Sequence, residues 1–431
     1  MGELPFWKIF NKMAASMSTS RRIPKLFRIC QGCSRRFTSV AGLNDVVIAS
    51  AVRTPIGSFG GSLASVPAPR LGTIAIQAAI EKAGIAKEQV NEVYMGNVLQ
   101  AGEGQAPTRQ AALGAGLPLN TPCTTINKVC ASGMKSIMMA AQSLMCGHQE
   151  VMVAGGMESM SNVPFTMSRA APSYGGHRLE DGIVKDGLTD VYNKFHMGNC
   201  GEDCAKKFEI SREQQDDFAI SSYQKSQQSA ADGIFDKELT TVSVPQKRGK
   251  ADVVISSDEE YAKVNFDKIK TLRAVFEKDG TVTAGNASTL NDGACALVLM
   301  TAQAADRLGV KPLARIVSFA DAAVAPIEFP IAPAYAMPKA LKLAGLSQDD
   351  ISMFEVNEAF SVVVLANIKA LNLDPAKVNI HGGAVSIGHP IGMSGARITG
   401  HMVHNLSPGQ KGLAGICNGG GGASAIVIER L

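Results

Sequence analysis

The chain alternates short apolar runs with helix-like stretches, and it does so twice. Residues 45–52, 92–97, 123–127 and 150–154 read as buried strands, separated by helix-like segments at 71–83, 108–113 and 131–144. Residues 314–320, 352–356, 378–380 and 412–417 repeat the pattern, with helix-like segments at 334–344 and 394–406. Strands that alternate with helices must bury both faces, which predicts an α/β fold with a mixed, mainly parallel sheet in each of two duplicated halves. The first half takes residues 41–158 and 286–305, and the second takes 306–431. Between them, residues 159–285 are richer in charged and polar side chains, as suits an inserted loop domain that covers a site.

Duplication puts two reactive side chains at equivalent points. Cys130 precedes the helix-like run 131–144, where unpaired N–H groups and the helix dipole favour a thiolate. His389 occupies the matching place before the run 394–406, in the turn Gly388-His-Pro390. A pseudo-two-fold relation between the halves brings the two together.

Composition excludes several classes. Hydrophobic residues make up 45% and charged residues 19% of 431, as in a compact body, and no apolar run is long enough to span a bilayer. Residues 1–40 hold eight basic side chains against the single acid Glu3, a net +7; the other 34 basic and 37 acidic residues leave −3. A mildly acidic body argues against nucleic-acid binding. The basic, Ser- and Arg-rich leader has the composition of a mitochondrial transit peptide, which predicts a matrix location. Nine cysteines, odd in number and scattered, do not form a disulfide framework, and Cys30 and Cys33 lie in the leader.

Three late segments set a reactive side chain among small residues that free backbone N–H groups to face a ligand: Asn357-Glu-Ala-Phe360, Gly388-His-Pro390 and Cys417-Asn-Gly-Gly-Gly-Gly422. With Asn127-Lys-Val-Cys-Ala-Ser-Gly133 and Gly155-Gly-Met-Glu-Ser-Met160, they occur in an order that resembles the thiolase family over residues 42–431. The resemblance implies a layered α-β-α-β-α fold and an acetyl-CoA C-acetyltransferase chemistry. Acetoacetyl-CoA, and its 2-methyl derivative, would be cleaved by CoA or formed by Claisen condensation, in ketone-body, isoleucine and fatty-acid metabolism.

By the family pattern Cys130 is acylated, His389 activates it, and Cys417 moves the α-proton as acid and base. His389 and a water on Asn357 would form one oxyanion hole, and the N–H groups of Cys130 and Gly419 the other. Lys263, Val264, Asn265 and Lys268 match the coenzyme A loop, although the family more often has Arg-Val-Asp where this chain has Lys-Val-Asn. Ser288 would lie along the pantetheine path, and His196, Met197 and Phe360 in the acyl pocket. Tyr223 would order the loop around potassium, held also by backbone oxygens of Ala284, Gly285, Ala287 and Val385. The resemblance further implies a homotetramer, with no organic prosthetic group.

Two alternatives stand beside this reading. A ketoacyl synthase-like condensing enzyme would carry a second histidine in place of Cys417. A non-catalytic acyl-CoA carrier would have lost one of the reactive residues.

Overall fold

A computed structural model describes residues 42–431 apart from 171–173 and 247–248. The expected transit peptide and the Cys30/Cys33 pair therefore lie outside the described residues.

In the first half, strands β1 (Val46–Arg53), β2 (Glu92–Gly96), β3 (Cys123–Ile126), β4 (Val151–Ser159) and β5 (Asn291–Thr301) form the sheet. The second half contributes β6 (Ala314–Ala323), β7 (Met353–Val356), β8 (Lys411–Asn418) and β9 (Gly422–Arg430). Hydrogen bonding runs in the order β7-β8-β9-β6-β1-β5-β4-β2-β3. Within each half one strand opposes the rest. β5 is antiparallel to β4 and β1, and β9 to β8 and β6, whereas β2 runs parallel to β3 and β4, and β7 to β8. The halves join where β1 meets β6 antiparallel, through Val47–Arg315 and Ile48–Ala314. Equivalent strands paired antiparallel are what a local two-fold axis produces. The fifth strand of the second half shrinks to one bridge, Phe354 to Val378.

The helices fill the layers that this sheet needs. α1 (Ala68–Ala83) ends at Gly84 in the left-handed conformation, as its place after an apolar helix predicts, and packs with α2 (Pro107–Gly114) on the outer face of the first half. α3 (Ser132–Met145) and α8 (Ile391–Asn405) lie against each other between the inner faces. α6 (Pro333–Ala344) and α7 (Ser361–Leu371) cover the outer face of the second half. The result is the five-layer arrangement. α8 begins at Ile391, three residues sooner than the sequence pattern indicates, because Pro390 supplies a preset φ of −64° at its N-cap.

The insertion carries α4 (Met197–Lys207) and α5 (Arg212–Ala231), the latter opened by a Ser211/Gln214 capping box. A buried ion cluster fastens it to both halves. Arg53, at the end of β1, donates from Nε to Glu238 at 2.7 Å and from both terminal nitrogens to Asp258 at 2.7 and 2.9 Å. Glu238 also meets His401 of α8 at 3.0 Å, and the Phe235 ring lies 5.5 Å from the guanidinium. Burial alone would raise the Glu238 carboxyl, but the Arg53 and His401 charges outweigh it and hold it well below the usual carboxylate range.

Removing one member of such a buried set strands the others as unpaired charges, at a cost of about 3–5 kcal/mol. Arg53→Ala is therefore expected to lower the midpoint of chemical unfolding sharply, and more than Arg53→Ala combined with Glu238→Gln and Asp258→Asn, as measured by circular dichroism.

Candidate active site

β3 delivers the chain to Cys130 through a tight kink. Val129 takes a φ of +47°, a conformation costly to a β-branched residue, and Ser132 pins it by accepting from Lys128 N–H at 2.8 Å and donating to Val129 C=O at 2.6 Å. Cys130 then stands just ahead of Ala131, the N-cap of α3. The position is the one expected, but the resting thiolate expected there is not found. Burial pushes the thiol up to about 11, against the opposing pull of two N–H groups that face the sulfur, those of Gly419 and of Cys130 itself. A half-buried thiol raised this far needs a base.

His389 has the properties of that base. Burial, with a smaller push from the Arg397 charge, lowers its imidazole to about 3, so it is neutral across the physiological range. Its Nδ1 meets Ser394 Oγ at 2.6 Å, while Nε2 is buried without a protein partner. The backbone is held by Asn291 Oδ1, which accepts the His389 N–H at 2.9 Å. Gly388 makes that contact feasible: it has φ +104°, and a Cβ there would sit 2.4 Å from Asn291 Cγ.

Cys417 lies at the end of β8 and is fully buried; burial raises its thiol well above the ordinary value, and the Cys130 sulfur is the next largest influence. Asn357 follows β7 in the adjoining strand, with its backbone N–H on Gly415 at 3.0 Å. Both polar atoms of its amide are buried without a protein partner, an arrangement that costs energy unless a water or ligand fills it.

His389 lies in the wall of a cavity of about 500 Å³ that is also lined by His196, Met197, Ser288, Phe360 and Ile391 among others. Cys130, like Leu188 and Leu290 of the cavity wall, packs against the apolar cluster of Val98, Leu99, Met160, Ile183 and Ile391. The His196 ring stacks on Phe276 at 4.8 Å, and Phe276 meets Phe360 edge-on. The opposite turn is held by Glu202, which accepts N–H groups of Thr281 and Val282 at 2.8 Å each.

The remaining predicted residues divide into two groups. Tyr223 and Val385 meet in a small cluster around Ile269, which also lies 3.6 Å from where a Gly285 Cβ would be, and Ala284 and Ala287 flank Gly285 on the cavity wall. Burial, then Glu260 and Glu358, raise the Tyr223 phenol to about 12. Among the described residues no group of three or more His, Cys, Asp or Glu side chains is arranged to hold a metal ion. The coenzyme A residues stand apart from the cavity lining. Lys263 Nζ donates to Ser58 Oγ at 2.5 Å and lies 3.4 Å from Glu259, while Asn265 and Lys268 are exposed.

One residue of the quoted motifs was given no role by the sequence. Glu158 is fully buried and accepts the N–H groups of Val98, Leu99 and Gly392 at 3.1, 3.1 and 2.8 Å, so it ties the first half to the start of α8. A lone acid inside an apolar strand run was the available signal.

Residues 46–303 match the thiolase N-terminal domain and residues 310–430 the thiolase C-terminal domain. The chain is 72% identical to the mitochondrial acetyl-CoA acetyltransferase of Danio rerio over 398 residues, 92% of this chain and 94% of the relative. It is 66% identical to that of Homo sapiens over 414 residues, 95% and 97% of the two chains. Among solved structures, the Acat5 thiolase from Ascaris suum in complex with coenzyme A superposes with a TM-score of 0.87 at 46% identity, over 90% of this chain and all of that one. With thiolase N- and C-terminal domains matched over nearly all of residues 46–430, the chain belongs to the thiolase family.

Proposed function

We propose that this protein is an acetyl-CoA C-acetyltransferase that cleaves acetoacetyl-CoA with CoA and runs the reverse condensation, with 2-methylacetoacetyl-CoA as a further substrate. The observation that carries this reading is the set of a protonated Cys130 thiol facing the Gly419 N–H, a second protonated thiol on Cys417 within its influence, a neutral His389 with a bare Nε2, and an unpartnered Asn357 amide. The family membership and the curated relatives support it.

In the cleavage direction, His389 Nε2 takes the Cys130 proton as the sulfur attacks the β-keto carbon of acetoacetyl-CoA. The bond from that carbon to the α-carbon breaks, leaving acetyl on Cys130, and Cys417 gives its proton to the departing α-carbon. The first acetyl-CoA leaves. Incoming CoA passes its thiol proton to the Cys417 thiolate and attacks acetyl-Cys130, whose freed sulfur recovers its proton from His389. Oxyanions form twice, facing the N–H groups of Cys130 and Gly419 on one side and His389 with an Asn357-bound water on the other. Both thiols must rest protonated for this exchange, which fits their raised values.

The inserted loop domain, residues 159–285, would carry the nucleotide end of coenzyme A near Lys263, Val264, Asn265 and Lys268. The lysine point charge there lacks the fork of an arginine. Potassium would be held by the Tyr223 hydroxyl and backbone oxygens of Ala284, Gly285, Ala287 and Val385. Tyr223 and Val385 pack with Ile269 near Gly285, and Glu260 and Glu358 lie close enough to raise the phenol, surroundings that suit a monovalent cation. Exposed Phe165, Met167, Leu179 and Tyr192 support self-association, and we assign the assembly as a tetramer. Relatives named as mitochondrial and the basic leader support a matrix location.

Purified protein is expected to form acetyl-CoA from acetoacetyl-CoA plus CoA, and Cys130→Ala to abolish it; no product from the intact chain refutes the assignment. Alkylation of Cys130 by iodoacetamide is expected to hold a plateau through neutral pH, because His389 is deprotonated above about 3 while the thiol stays protonated up to about 11. In His389→Asn only preformed thiolate reacts, so labelling at pH 7 falls by about 10²–10⁴-fold and climbs about tenfold per pH unit. Replacing K⁺ by Na⁺ or choline is expected to slow initial rates several-fold, and Tyr223→Phe to remove that difference.

A further inference from the structure

We infer that Ser394 is the positioning residue that fixes the tautomer of His389, an inference that rests on the base role proposed above. Ser394 lies one turn into α8, buried, with Oγ 2.6 Å from His389 Nδ1 and 3.1 Å from the carbonyl of Pro390, four residues back. A hydroxyl has one hydrogen to give. The carbonyl can only accept, whereas Nδ1 takes either role according to the tautomer.

Two arrangements compete. With the proton on Nδ1, the imidazole donates to Ser394 Oγ and the hydroxyl donates to Pro390, so two hydrogen bonds form. With the proton on Nε2, the hydroxyl turns to Nδ1, a single bond remains, and a buried N–H points into the cavity with no protein partner. The first arrangement makes one hydrogen bond more and presents the Nε2 lone pair to the cavity. That lone pair is what a thiol held up to about 11 requires. Ser394 touches neither substrate nor the reacting sulfur; it acts through the ring. The Asn291 contact to the backbone N–H fixes where the ring is, and Ser394 fixes which nitrogen is bare.

The test uses the intact protein with ¹⁵N-labelled histidine, of which the chain has seven, and His389→Asn to identify the His389 signals. At pH 7 without substrate, the expected spectrum shows a protonated Nδ1 and a bare Nε2; a protonated Nε2 overturns the inference. Ser394→Ala is expected to mix the tautomers. It should lower kcat and the rate of iodoacetamide labelling of Cys130 by roughly tenfold, with KM unchanged and the fold intact by circular dichroism. Ser394→Thr, which keeps a hydroxyl at the same carbon, should restore most of both. Unchanged tautomer and labelling in Ser394→Ala would also overturn it. Because the ring spectrum and the labelling need no turnover, absence of thiolytic activity would refute the proposed reaction while leaving this inference separately decided.

Discussion

The carbonyl of Gly392 occupies space that side chains would need. A Cβ at Gly156 would sit 2.0 Å from it and one at Gly133 2.8 Å, while a Cβ on Gly392 itself would lie 2.6 Å from Glu158 Oε2. Three glycines from β4, α3 and α8 thus allow the two halves to meet backbone against backbone. Gly133 is three residues past Cys130 and Gly392 three past His389, so this contact sets the separation of nucleophile and base. Glu158 accepts the Gly392 N–H at the start of α8, while burial, only partly opposed by the N–H groups it accepts, pushes its carboxyl up to about 8. Larger residues at any of these positions would part the halves and pull the reacting groups away from each other.

Around that junction the electrostatics are those of a sealed interior. Cys130, His389 and Cys417 all shift toward their neutral forms, and burial is the leading cause in each. No permanent charge then has to be desolvated when a thioester enters, and charge appears only as protons move during reaction. Arg53, Glu238 and Asp258, ionised and buried, are paired with one another and bind the insertion to β1.

Much of this was legible in the sequence. The alternation of apolar runs, Gly84 after α1 and Ser211 before α5 reflect local rules that act within a few residues. Cys130 at a helix start and His389 in a Gly/Pro turn were legible for the same reason. The protonated state of Cys130 was not, since it depends on an enclosure built from segments some 290 residues apart, and a helix start read in isolation suggests the opposite. Nor did the sequence point to Ser394 or Glu158, whose importance lies in which backbone atoms face them. The engagement of Lys263 by Ser58 likewise depends on a long-range approach that no spacing encodes.

The protonated resting state has a bearing on survival as well as on turnover. Peroxides and electrophiles attack thiolates far faster than thiols, and accessible low-pKa cysteines are the first to climb from sulfenic toward irreversible sulfonic acid. Cys417, fully buried and protonated, offers such reagents little to react with, whereas the half-buried Cys130 reacts only as His389 draws off its proton. The same desolvation that obliges His389 to assist the first step keeps the standing thiolate scarce, so chemical durability and dependence on the imidazole have one cause.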